Sequence, residues 1–131
     1  MTDHINFKTL QRPPKPNTCL AAPENFCLAA ETDFSPPVFA MTGRGLFSKL
    51  SEIIAAEKSF GRTATDAENL RIKFVATTGL MRFKDDVDVE IIELEDGKAT
   101  LAIYSRSRIG YSDLGANQKR VTKLIGALTT N

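Results

Sequence analysis

All six prolines of this 131-residue chain fall within its first 37 positions: Pro13, Pro14, Pro16, Pro23, Pro36 and Pro37. Proline fixes φ and lacks a backbone donor, which excludes it from helix interiors and central strands. Residues 1–36 are therefore predicted to form an extended arm, and residues 37–131 a single α+β domain. The arm still carries Phe7, Leu10, Leu20, Phe26, Leu28 and Phe34. A disordered tail rarely holds so many large apolar residues, so the arm is expected to lie along the domain surface, ordered over residues 17–34.

Beyond the arm, periodicity carries the argument. Pro37-Val38-Phe39-Ala40-Met41 reads as a short strand and Thr42 as a helix N-cap. Leu46, Phe47, Leu50, Ile53, Ile54 and Phe60 recur at helical spacing and Gly61 supplies a stop, which predicts a helix over residues 43–60. Leu70-Arg71-Ile72-Lys73-Phe74 alternates at period two, as a strand does. Val87, Val89 and Ile91 mark a second strand, and residues 98–108 a third. Glu95-Asp96-Gly97 joins the last two as a hairpin.

The hairpin register follows from the side chains. A two-residue loop would set Val89 against Tyr104 and mix core with solvent faces. A three-residue loop with Gly97 in the left-handed region pairs Val89 with Ile103 and Ile91 with Leu101. It also sets Asp88 opposite Tyr104 and Asp86 opposite Arg106, and it is preferred because a one-residue slip inverts every side chain. The other sheet face then carries Arg71, Lys73, Asp86, Asp88, Glu90, Tyr104, Arg106 and Arg108. Tyr104 and Ile92 on that face signal a cover, either the arm or another protein.

A last helix is predicted over residues 113–128, with Ser112 as N-cap and Asp113 in its first turn. Leu114, Val121, Leu124, Ile125 and Leu128 form its buried stripe, and Asn117 falls on that same stripe. The predicted fold class is α+β: a two-layer sandwich, an antiparallel meander sheet with both helices packed on one face, and an extended Pro-rich N-terminal arm.

Polar residues concentrate where the third strand meets the last helix. Arg106, Arg108, Ser112, Asp113, Asn117 and Arg120 are the candidate ligand-binding residues, with Arg82, Asp86 and Asp88 secondary. Three arginines near a helix start can hold a carboxylate or phosphate. They can equally form structural pairs, Arg106 with Asp86 and Arg108 or Arg120 with Asp113 or Asp85, and such pairs are commoner than ligand sites. Asp86, Asp88 and Glu90 share a strand face, but Arg and Lys stand beside them, so charge pairing is favoured over a metal. Ser105, Ser107 and Ser112 have no His base within reach of the sequence pattern. Gly110 and Gly115 make neither a dinucleotide nor a P-loop fingerprint, and no cofactor is predicted. Asn117 reads as a lock, because a buried amide must find partners. Its expected partners are the backbone of the turn at residues 108–111 or of the arm.

Arg82-Phe83 with Asp86-Val87-Asp88-Val89-Glu90, the run from Leu101 through Ser105-Arg106-Ser107-Arg108-Ile109-Gly110, and Ser112-Asp113-Leu114-Gly115 with Asn117 and Arg120 form a pattern. It resembles an uncharacterised bacterial and plastid family, domain of unknown function 1499. Arg12-Pro13-Pro14-Lys15-Pro16-Asn17 belongs to the same resemblance. The resemblance implies no activity. It implies a periplasmic or membrane-associated setting, peripheral or anchored, whereas the polar first fifteen residues do not resemble a signal peptide and fit a cytoplasmic protein if the chain is complete.

Charge and cysteine usage narrow the functions. A formal net charge of +1 speaks against a nucleic-acid binder. No apolar run approaches the roughly 20 residues of a membrane span. Cys19 and Cys27, with no nearby His pair, cannot complete a zinc site; small semi-buried residues are favoured over a disulfide, and catalytic thiols come last. The function expected is a non-enzymatic binding or assembly module with a protein partner. The alternatives are binding of a small anionic ligand without catalysis, or an enzyme of unknown class using the same cluster with Asp86 or Asp88 as its acid–base group.

Overall fold

A computed structural model describes residues 4–80, 82–110 and 112–130. In chain order the elements are β1 (Thr18–Ala21), α1 (Gly43–Ala56), β2 (Phe60–Asp66), β3 (Arg71–Thr78), β4 (Phe83–Glu93), β5 (Ala99–Ser107) and α2 (Ala116–Thr129). The strands form one antiparallel sheet in the order β1-β5-β4-β3-β2. The α+β fold with both helices on one face is as the sequence predicts.

The β4–β5 hairpin has the three-residue loop, closed by Leu94 N–H donating to Lys98 O at 2.9 Å, with Gly97 at φ 68°. Glycine populates that left-handed region without a Cβ penalty. Val89 faces Ile103, Ile91 faces Leu101, Asp86 faces Arg106 and Asp88 faces Tyr104. One face of the sheet meets the helices. Leu46, Leu50 and Ile54 of α1 and Val121, Leu124, Ile125 and Leu128 of α2 pack on Ile72, Phe74, Val87, Val89, Leu101 and Ile103. Each such side chain stabilises the fold by about 1.5–3 kcal/mol relative to exposure.

The other face is covered by the arm. Phe7, Leu20 and Ala22 bury Ala102 and Tyr104, with Ile5, Leu10, Phe26 and Ile92 around them. The arm also contributes β1, which pairs with β5. Cys19 and Ala21 join the helix-side core, while Leu20 between them points into the arm-side core. The sheet therefore has a packed layer on both sides.

Four sequence expectations are corrected. The meander has four strands rather than three, and β1 makes a fifth. β2 escaped the pattern because it is a half-exposed edge strand, reading Phe-Gly-Arg-Thr-Ala-Thr-Asp, with a register shift between Gly61 and Ala64. Helix α1 ends at Ala56 rather than at residue 60: Glu57 accepts from Ser59 N–H and Oγ at 3.2 and 2.9 Å, which turns the chain. Phe60 then stacks on Phe74, ring centroids 4.6 Å apart, so it is apolar for a strand's reasons. The stretch at residues 37–41 forms only a bridge, Phe39 to Ala99. Lastly, α2 starts at Ala116, and Leu114 is 90% exposed rather than buried. Leu114 and Gly115 both have positive φ, 54° and 83°, so the helical stripe cannot extend back through them. Thr42 caps α1 as expected, accepting from Gly45 N–H at 3.1 Å.

Candidate functional site

Alternation along β4 sends Asp85 to the helix side of the sheet and Asp86 and Asp88 to the arm side. The six arginine, serine, aspartate and asparagine candidates divide accordingly.

On the helix side Asp113, Asn117 and Arg120 converge. Arg120 Nη2 lies 2.9 Å from Asp85 Oδ2 and donates to Thr78 Oγ1 at 2.6 Å. Arg120 Nη1 donates to Ser105 Oγ at 3.0 Å and to Asn117 Oδ1 at 2.8 Å. Ser105 Oγ itself donates to Asn117 Oδ1 at 2.5 Å. Asn117 Nδ2 reaches Asn17 O at 3.0 Å, Ser107 Oγ at 3.0 Å and Asp113 Oδ2 at 2.7 Å. Asn17 in turn donates through Nδ2 to Gly110 O at 2.9 Å. The amide thus ties strand, helix start and arm together; Tyr111, in the turn where a partner was also sought, lies outside the described residues. Asp113 rather than Ser112 organises the helix start, accepting from Gly115 N–H at 2.8 Å and Asn117 N–H at 2.9 Å. Burial pushes the Asp113 carboxyl up, but the hydrogen bonds from Asn117 and Gly115 outweigh it and hold it below its ordinary value. Ser112 Oγ only accepts from Leu114 N–H, at 3.3 Å.

On the arm side the pairing is diagonal across the hairpin. Asp86 faces Arg106 in the backbone register, yet Arg106 Nη1 bonds Asp88 Oδ2 at 2.7 Å. Arg108 grips Asp86 bidentately, Nε and Nη2 each at 2.9 Å. The expected Arg106–Asp86 pair is corrected to these two, because a guanidinium reaches past its opposite residue to the next one on the same face. Arg106 also lies 5.0 Å from the Tyr104 ring centroid. Asp88 is buried because the arm crosses it, with Ile5 N–H donating to Oδ1 at 3.4 Å. The Arg108 hydrogen bond holds the Asp86 carboxyl below its ordinary value, against a smaller opposing effect of burial. Arg82 sits exposed on left-handed backbone in the β3–β4 turn, outside both groups.

The three arginines of the sequence-level anion site therefore do not converge: Arg120 is on one face and Arg106 and Arg108 on the other. Among the described residues no three of His, Cys, Asp and Glu are grouped as metal ligands would be. Burial pushes the Cys19 thiol up to about 12, and Cys27 is half-buried and also raised by burial. No helix among the described residues is long and apolar enough to cross a membrane.

Beside the helix-side cluster lies a groove of about 600 Å³. The end of α1 (Ile53, Ala56), the start of β2 (Phe60) and one face of α2 (Ala116, Leu124, Ala127) form its apolar walls. Lys119, Arg120 and Lys123 from α2, Glu57, Ser59 and Thr78 complete the lining, with exposed Leu114 at its edge. A smaller cavity of about 130 Å³ lies on the other side of Thr78 and Ala116, lined by Phe83, Asp85, Ser107, Ile109, Ser112 and Asp113 among others. Of the three basic residues Lys119, Arg120 and Lys123, only Arg120 was a candidate from the sequence. Their i, i+1, i+4 spacing signals a shared helix face, but no sequence pattern places Phe60 or Ile53 opposite it.

The sequence profile of the family described as "Protein of unknown function (DUF1499)" matches residues 14–128, and the chain belongs to that family. No curated protein matches it. Among solved structures it is similar to the di-domain ARO/CYC BexL from the BE-7585A biosynthetic pathway, with a TM-score of 0.54 at 11% identity. That match covers 71% of this chain and 43% of BexL, so the chain spans less than half of that protein's length. At this identity the likeness concerns the fold.

Proposed function

We propose that this chain is a non-enzymatic binding module that holds a small, largely apolar molecule in the groove between α1, β2 and α2. The groove itself carries the reading: about 600 Å³ falls within the range of small-molecule sites, roughly 300–1,000 Å³, and its walls are mainly aliphatic and aromatic. The cluster of Asp85, Asn117 and Arg120 acts as the frame that fixes α2, the groove's wall, against the sheet. An acid–base enzyme built on Asp86 or Asp88 is less well supported. Both carboxylates are held by arginines, and the Asp86 pKa is lowered, whereas a proton carrier at neutral pH needs a raised one. Assembly through Arg106 and Arg108 is the weaker alternative, since those guanidiniums are already engaged.

Titration with N-phenyl-1-naphthylamine, an uncharged apolar fluorophore, tests the reading. Saturable binding is expected in the unmodified protein. Ala127→Trp, which fills the groove from α2, should weaken it strongly while leaving the urea midpoint in place. A protein that never enhances the probe's emission, or an Ala127→Trp variant that binds it undiminished, would sink the proposal.

A further inference from the structure

Resting on the groove just described, we infer that its ligand is an amphipathic anion, with the apolar body between Ile53, Phe60 and Leu124 and the anionic head at Lys119 and Lys123. Lys119 and Lys123 are four residues apart on α2 and both line the groove. Both side chains are exposed, and among the described residues neither ammonium group forms an ion pair or hydrogen bond. Like charges at this spacing repel on a helix surface. An anion seated between the two ammonium groups relieves that repulsion.

The acidic residue of the lining does not serve that purpose. The Glu57 carboxylate is bonded first by Ser59 N–H and Oγ, which lower its pKa and keep it charged, and Lys123 adds only a small further effect. Arg120 is committed to Asp85 and Thr78. The two lysines are thus the lining charges left to meet a ligand, and they select its sign.

Displacement of N-phenyl-1-naphthylamine by three twelve-carbon chains with different heads provides the test: dodecanoate, dodecan-1-ol and dodecyltrimethylammonium. Dodecanoate should displace the probe at roughly fivefold lower concentration than the alcohol, the effect expected of two exposed charge pairs. The ammonium compound should be weakest. Lys119→Gln with Lys123→Gln should remove the advantage of dodecanoate over the alcohol. Equal displacement by all three heads, with the probe still bound, overturns the anion inference but spares the groove. Failure of the probe to bind removes the groove reading itself. Sedimentation of the protein with phosphatidylglycerol vesicles, while dodecanoate leaves the probe in place, would assign the lysines to a bilayer surface and overturn the inference.

Discussion

Asp85 and Asp86 are sequence neighbours on β4, and each lies 2.9 Å from an arginine. Their surroundings differ. The Asp85 and Arg120 side chains are 3% and 9% exposed, and Arg120 also bonds Thr78, Ser105 and Asn117. The Asp86 and Arg108 side chains are 27% and 47% exposed and hold each other bidentately. The helix-side pair sits in low dielectric, where removing one partner strands a charge. The arm-side pair is screened by water, so its loss is nearly compensated by solvation. Distance is the same in both; burial sets what the pair is worth.

The largest expected effect tests the buried member. Asp85→Ala leaves Arg120 without its counter-charge and should lower stability by about 3–5 kcal/mol in urea unfolding. Asp85→Leu combined with Arg120→Met removes both charges and should recover much of that loss. Were the double variant as unstable as the single one, the cluster's worth would lie in its hydrogen bonds rather than in charge burial.

Asn117→Leu comes next. It adds apolar area, yet it leaves Ser107, Asn17 O and Arg120 short of partners, and should cost about 1–3 kcal/mol. A raised urea midpoint would show that the amide does not lock the strand, the helix start and the arm together.

The smallest effect belongs to the arm-side pair. Asp86→Asn should cost less than about 1 kcal/mol, and the cost should shrink in high salt. Folding lowers the Asp86 pKa through Arg108, so its contribution is full above the unfolded carboxyl pKa and is lost as pH falls through the folded value. The difference in midpoint between Asp86→Asn and the unmodified protein should therefore vanish in acid. A difference as large as that of Asp85→Ala, or one independent of pH, would erase the contrast between the two faces.

Much of this was legible in the sequence because it is local. Period-two alternation fixed the register of the β4–β5 hairpin, since slipping one residue would turn Val89, Ile91, Leu101 and Ile103 to the wrong side. The helical spacing of Leu46, Leu50 and Ile54, and of Val121, Leu124 and Leu128, fixed both helices and the side they bury. Asn117 on an apolar stripe announced a buried, bonded amide, and Tyr104 and Ile92 on a polar face announced a cover. What remained illegible is set by contacts between distant residues. β2 has an edge strand's mixed pattern and takes its place from pairing with β3. The arginines look like one cluster along the chain, but Arg106 and Arg108 belong to one face of a strand and Arg120 to a helix on the other, so the sheet separates them. The groove arises from Ile53, Phe60 and Leu124 meeting across three elements. Periodicity tells which way a side chain points, but only the packed tertiary structure decides what stands opposite it.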